Sequence, residues 1–109
     1  MVNIARIKNK IVELEAFFKE VVTNEENIDS SSFGAGAQYG LDCLDKMKKS
    51  LAAYQEKPAN KPLKNIFFGF TAVTRGVEGF NNYDLEKRFR EVSKGIYTIQ
   101  EELQQKIKW

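Results

Sequence analysis

The sequence predicts an all-α fold, an antiparallel helical bundle of four helices at about residues 3–23, 31–56, 61–79 and 83–107, forming a single domain over 1–109. Three observations predict it. Apolar residues recur at alternating steps of three and four through four segments, the period of a helix face and not of a strand. The two prolines, Pro58 and Pro62, lie almost together, leaving long proline-free stretches on either side. The breaks between segments are short and polar, which makes sequential helices antiparallel neighbours. An extended hairpin that completes its core by homo-oligomerisation is the alternative.

The first segment carries its seam at Ile4, Ile7, Ile11, Leu14, Phe18 and Val21, with Phe17 and Val22 widening the stripe. It stops near Thr23–Asn24. Asp29 and Ser30 to Ser32 offer side-chain oxygens that accept the orphan N–H groups of a second helix. That helix repeats Phe33, Ala37, Gly40, Leu44, Met47, Leu51 and Tyr54, and ends before Lys57-Pro58. Asn60 caps the third helix, and Pro62 sits in its first turn, where the missing N–H costs nothing. The third seam is Leu63, Ile66, Phe70, Val73, Val77 and Phe80, closed by Gly79 and Asn81-Asn82. Asn82 or Asp84 caps the fourth, whose seam runs Leu85, Phe89, Val92, Ile96, Ile99 and Leu103.

Composition bounds the function. Hydrophobic residues make up 42% of the chain and charged residues 29%, the balance of a globular protein. Net charge is +2, short of the strong basicity of a nucleic-acid-binding domain. Lys46 to Lys64 and Lys87-Arg88-Arg90 are interleaved with acids and read as solvated helix faces. The single cysteine, Cys43, forbids an internal disulfide and points to a reducing compartment. The expected location is cytoplasmic, with no signal peptide, no membrane span and no membrane partner.

Catalytic chemistry is poorly supplied. The chain has no histidine, the commonest general base and metal ligand. No zinc spacing and no phosphate-loop motif occur. Cys43 reads as a packed thiol, and Asp42 and Asp45, followed by lysines, as an ion-paired surface. The expectation is a binding protein that is not an enzyme and uses no cofactor and no metal. Five glycines in the second and third helices (Gly34, Gly36, Gly40, Gly69 and Gly76) imply close approach to the backbone by a neighbouring helix, a ligand or a second subunit.

The informative stretch is Gly69 to Val77. Thr71, Thr74 and Arg75 lie three and four apart and share a helix face. A planar guanidinium beside hydroxyls suits a phosphate or a base edge. The competing reading pairs Arg75 with Glu78 or with an acid on another helix.

Gly69, Phe70, Ala72, Val73, Arg75, Gly76 and Val77 carry a resemblance to a family. They resemble the second helix of the phage-encoded sponges that sequester cyclic oligonucleotide immune signals, and residues 37–62 resemble the first arm of that family's helical hairpin. The chain adds a helix on each side of the hairpin. The resemblance implies a homo-oligomer in the host cytoplasm that binds cyclic nucleotides or a similar small anionic ligand without cleaving them, an anti-defence role. Phosphates would meet Arg75, Thr71 or Thr74 with Lys64 or Lys61 nearby, and Tyr83 could stack on a base. The alternative function is a small helical inhibitor or immunity protein that blocks a protein partner, suggested by the off-seam aromatics Phe17, Phe67, Phe68 and Trp109.

Overall fold

In the computed structural model the described residues are 2–23, 31–76 and 83–109, apart from the side chains of 31–36, 76 and 83. The first seam folds as α1 (Ile4–Thr23), whose Ile7, Ile11, Leu14, Phe18 and Val21 are buried as their spacing requires. Asn3 opens the helix by accepting the Arg6 N–H at 3.1 Å. The second seam folds as α2 (Ser31–Glu56) and the third as α3 (Asn60–Gly76), joined by the Lys57–Ala59 turn. Pro62 lies in the first turn of α3, as expected. Ala37, Leu44, Met47 and Leu51 of α2 and Leu63, Ile66, Phe70 and Val73 of α3 are all buried.

The fourth predicted helix is corrected. It is two helices, α4 (Tyr83–Val92) and α5 (Ile96–Lys106), separated by a turn at Ser93 to Gly95. Gly95 has φ +91°, a left-handed conformation that stops helix propagation and that glycine adopts without strain. The Val92 carbonyl at the end of α4 accepts the Lys10 ammonium at 2.9 Å. The chain then re-enters a helix in the same direction, so Leu85, Phe89, Ile96, Ile99 and Leu103 still face one core.

Cross-contacts fix the directions. Glu15 pairs with Lys48, and Phe18 meets Gly40, so α1 and α2 are antiparallel. Arg6 pairs with Glu102 at 2.9 Å and Arg88 with Glu20 at 2.5 Å, which sets the α4–α5 arm antiparallel to α1. Gln100 reaches Phe67 and Thr71, and Asn60 reaches Lys108, which sets α5 antiparallel to α3. The result is an up-down bundle of four packed arms, with no strand among the described residues. Its extents, 42 × 22 × 21 Å, are those of a bundle one helix long and two helices thick in each other direction, since the 26 residues of α2 span about 39 Å. Among the described residues the buried side chains of all four arms form one hydrophobic cluster.

Two glycines have their reason in packing. A Cβ on Gly69 would collide with Met47 Cγ, and one on Gly40 would lie 2.8 Å from Phe18 Cε2. At both positions a neighbouring helix makes the close approach. The N-cap residues expected for α2 and α4, the third-helix closure at Gly79 to Asn82, the seam residues Val77 and Phe80 and the environments of Gly34, Gly36 and Gly76 lie outside what the structure describes. So does the capping role expected of Asp84, although that residue lies in the first turn of α4. No helix among the described residues is long and apolar enough to cross a membrane.

Candidate functional site

Arg75 stands exposed in the last turn of α3, and among the described residues no carboxylate pairs with it. It lines an open groove with Tyr39 of α2 and Phe68, Thr71 and Ala72 of α3, a volume of about 390 Å³. Phe68 and Ala72 also line the adjoining groove of about 520 Å³, whose floor is Met47 and Gly69 and whose α2 wall carries Cys43, Lys46 and Lys49. The two form one trough along the outer face of the α2–α3 pair. No carboxylate belongs to either lining.

The close packing at Gly69 shapes this trough. Without a side chain there, α3 lies down on Met47, and the residues flanking that line, Lys46 and Cys43 on one helix and Phe68 and Ala72 on the other, form the rims. Tyr39 and Cys43 are four apart on α2, one turn along the same wall, and a hydrogen bond with the thiol raises the Tyr39 phenol above its ordinary pKa. Lys49 is shared with Asp45 at 3.2 Å, an exposed pair of the kind expected for this helix face. Lys46 and Lys64 make no ion pair among the described residues.

The predicted site residues separate into groups. Thr71 lines the groove beside Arg75, but its hydroxyl is occupied: it accepts the Gln100 side-chain amide at 2.9 Å and donates to the Phe67 carbonyl at 3.4 Å. Thr74 donates to the Thr71 carbonyl at 2.8 Å. Both threonine hydroxyls thus donate to carbonyls of their own helix, as threonine in a helix interior commonly does. Lys64 lies eleven residues before Arg75, about 16 Å along the helix. Its ammonium sits 5.7 Å from the centroid of the Trp109 ring. The Tyr83 side chain and the expected Arg75–Glu78 pair lie outside the described residues.

The off-seam aromatics divide as well. Phe17 is buried against Phe18 and Phe89, with Arg88 over its ring. Phe67 is half-buried and makes edge contacts with Phe68 and Trp109, at centroid distances of 5.5 and 5.4 Å. Phe68 and Trp109 remain 54% and 60% exposed, and Tyr39 is 50% exposed, so three large rings stand open along this one face. Trp109 is held in place: Asn60 donates to the Lys108 carbonyl at 2.6 Å and accepts the Lys108 N–H at 2.7 Å. The expected helix cap at Asn60 is thus corrected, since its amide engages the Lys108 backbone.

Sequence reasoning missed Tyr39, Lys46, Lys49 and Gln100 as parts of this face. Tyr39, Lys46 and Lys49 follow one another at seven and three, a helical stripe that was available as a signal. Gln100 carried none. Among the described residues no three of Cys, Asp and Glu gather as a metal site would require.

The fold and the face define a four-helix bundle with an open cationic and aromatic trough. The chain matches no protein-family model, no curated protein and no solved structure.

Proposed function

We propose that this chain is a non-catalytic binding protein, and that the α2–α3 trough takes an anionic ligand bearing planar rings, in the manner of a sponge that sequesters a nucleotide immune signal. One observation carries the reading: Arg75, Tyr39 and Phe68 share one groove that is continuous with Lys46 and Lys49, and no carboxylate lines it. A guanidinium recognises phosphate oxygens through its fork of donors, and exposed rings accept a base by stacking. The volume of about 520 Å³ falls in the range of small-molecule sites. Thr71 contributes shape, since its hydroxyl is engaged, Thr74 lines neither groove, and Arg75 and Lys46 supply the charge. The sponge reading includes a homo-oligomer and the resemblance carried by Gly69 to Val77. It places the protein in the host cytoplasm of a phage infection.

Isothermal titration with a panel of cyclic di- and trinucleotides tests this. Binding by the wild type, abolished in Arg75→Ala with an unchanged circular dichroism melt, is expected. No heat with any member of the panel rejects the reading.

A second reading, a helical inhibitor or immunity protein, is favoured by the same three exposed rings. Tyr, Trp and Arg are the residue types that dominate protein interfaces. It predicts a stoichiometric protein complex lost in Phe68→Asp, with the isolated chain indifferent to nucleotides.

A further inference from the structure

The contact between Asn60 and Lys108 gathers one end of the bundle. It sets the Lys57–Ala59 turn and the first turns of α3 beside the end of α5. Residues 56–64 and 103–109 together carry five lysine side chains and one carboxylate side chain, Glu56. The whole chain has a net charge of only +2, so this end is its positive pole and the remainder is net acidic. Lys57, Lys61, Lys106 and Lys108 are exposed and Lys64 is half-buried. None of the five makes an ion pair among the described residues. Glu102, a turn before Lys106, is committed to Arg6 at 2.9 Å.

An indole stands among these cations. Lys64 Nζ lies 5.7 Å from the centroid of the Trp109 ring, and Lys108 precedes it in the chain. The ring is exposed but its backbone is held, since Ile107 is buried and Asn60 clasps both polar groups of Lys108. Trp109 and the five lysines line neither groove of the α2–α3 trough.

We propose that this pole is a peripheral membrane contact, at which Trp109 enters the headgroup layer of an anionic bilayer and the surrounding lysines meet its negative surface. The proposal is independent of the trough and replaces the expectation of no membrane partner. No helix among the described residues is long and apolar enough to span a bilayer, and a surface contact requires none.

The chemistry of the pole selects this occupant. The two segments contain no arginine. Guanidinium forks read individual phosphates or carboxylates of a specific partner, whereas ammoniums on flexible stems answer a diffuse field such as that of anionic lipid. An indole has an apolar body and a polar N–H, and settles at headgroup level. A second copy of the chain is a poor occupant, because a two-fold contact would set the same five lysines against one another. One ring with a polybasic patch makes a reversible, salt-sensitive attachment.

Trp109 is the sole tryptophan, so its emission reports this contact directly. The full chain is mixed with phosphatidylcholine vesicles, and with vesicles in which phosphatidylglycerol replaces part of that lipid. Sedimentation with the anionic vesicles alone, a blue shift of Trp109 emission and release by high salt are expected. The double variant Lys57→Glu with Lys61→Glu should lower partitioning about tenfold or more. Lys87→Glu with Lys94→Glu changes net charge equally but on α4 and the α4–α5 turn, and should keep most of it. Unaltered circular dichroism melts establish that both variants fold. Failure to sediment with anionic vesicles, equal sedimentation with neutral ones, or equal losses in the two double variants overturns the proposal. Polyglutamate and a single-stranded oligonucleotide are titrated in parallel. A shift of Trp109 emission with either, without vesicle binding, assigns the pole to an acidic protein or a nucleic acid and likewise overturns it.

Discussion

Asn60 and Lys108, 48 residues apart, are joined through both polar groups of one side-chain amide, which donates to the Lys108 carbonyl at 2.6 Å and accepts its N–H at 2.7 Å. This clasp fixes the Ile107–Trp109 segment against the start of α3. It explains why a residue that looks like a helix cap at the level of sequence is spent on a tertiary contact. Asn60→Ala is expected to lower stability by about 1 kcal/mol, the net worth of an exposed hydrogen-bonded pair. It is also expected to shift Trp109 emission to the red as the indole leaves Phe67 and Phe68. Chemical denaturation and an emission spectrum of the variant check both effects.

Gly69 is required by Met47. A Cβ there would collide with Met47 Cγ and lie 2.6 Å from its sulfur, which forces a buried side chain to move. Gly69→Ala gains helix propensity of about 0.5–1 kcal/mol and loses about 1–3 kcal/mol to overpacking, so net destabilisation is expected. The cost should shrink in a Met47→Ala background, which empties the space. A double-mutant cycle by urea denaturation measures that coupling.

Gly95 is required by its backbone and not by its surroundings. Its φ is +91°, while the atom nearest an added Cβ would be Lys10 Cε at 4.0 Å, ordinary contact. Gly95→Ala is therefore expected to cost about 1–2 kcal/mol through strain alone. Gly95→Asn should cost less, because asparagine tolerates the left-handed region better. Paired thermal melts of the two variants separate strain from crowding.

Glu15 links α1 to α2 through Lys48, and that hydrogen bond, with the charges of Lys48 and Lys19, holds its carboxyl below the ordinary value of 4.5 despite opposing desolvation. The sign follows from the depressed folded-state pKa. The stabilisation is fully present above the unfolded-state pKa and is lost as pH falls through the lower folded-state value. Glu15→Gln should be less stable than wild type near neutrality by under about 1 kcal/mol, a screened pair at the bundle surface. The two should converge in acid. Melting temperatures of both proteins across the acid range check this.

The bundle was largely legible in the sequence, because burying a seam at steps of three and four has one solution in a helix. Ile7 to Val21, Leu44 to Leu51 and Leu63 to Val73 all went inside. The break at Gly95 was not legible, since the step from Val92 to Ile96 is four with or without it, and only the backbone angle distinguishes the cases. For the site, the stripe through Phe68, Thr71 and Arg75 was half legible as helix spacing. Its other wall was legible only as the stripe of Tyr39, Lys46 and Lys49, and that this stripe faces α3 is decided by the Gly69–Met47 contact, a tertiary fact. The occupation of the Thr71 hydroxyl depends on Gln100, 29 residues away.

Cys43, the only cysteine, lines the wider groove and offers the most direct test that this trough is a binding site. The rate of its alkylation is measured with and without a saturating cyclic dinucleotide. Occupancy of the α2–α3 trough predicts that the thiol is shielded and the rate falls about tenfold or more, with Arg75→Ala reacting at the unliganded rate in either condition. An alkylation rate indifferent to the dinucleotide would contradict the account.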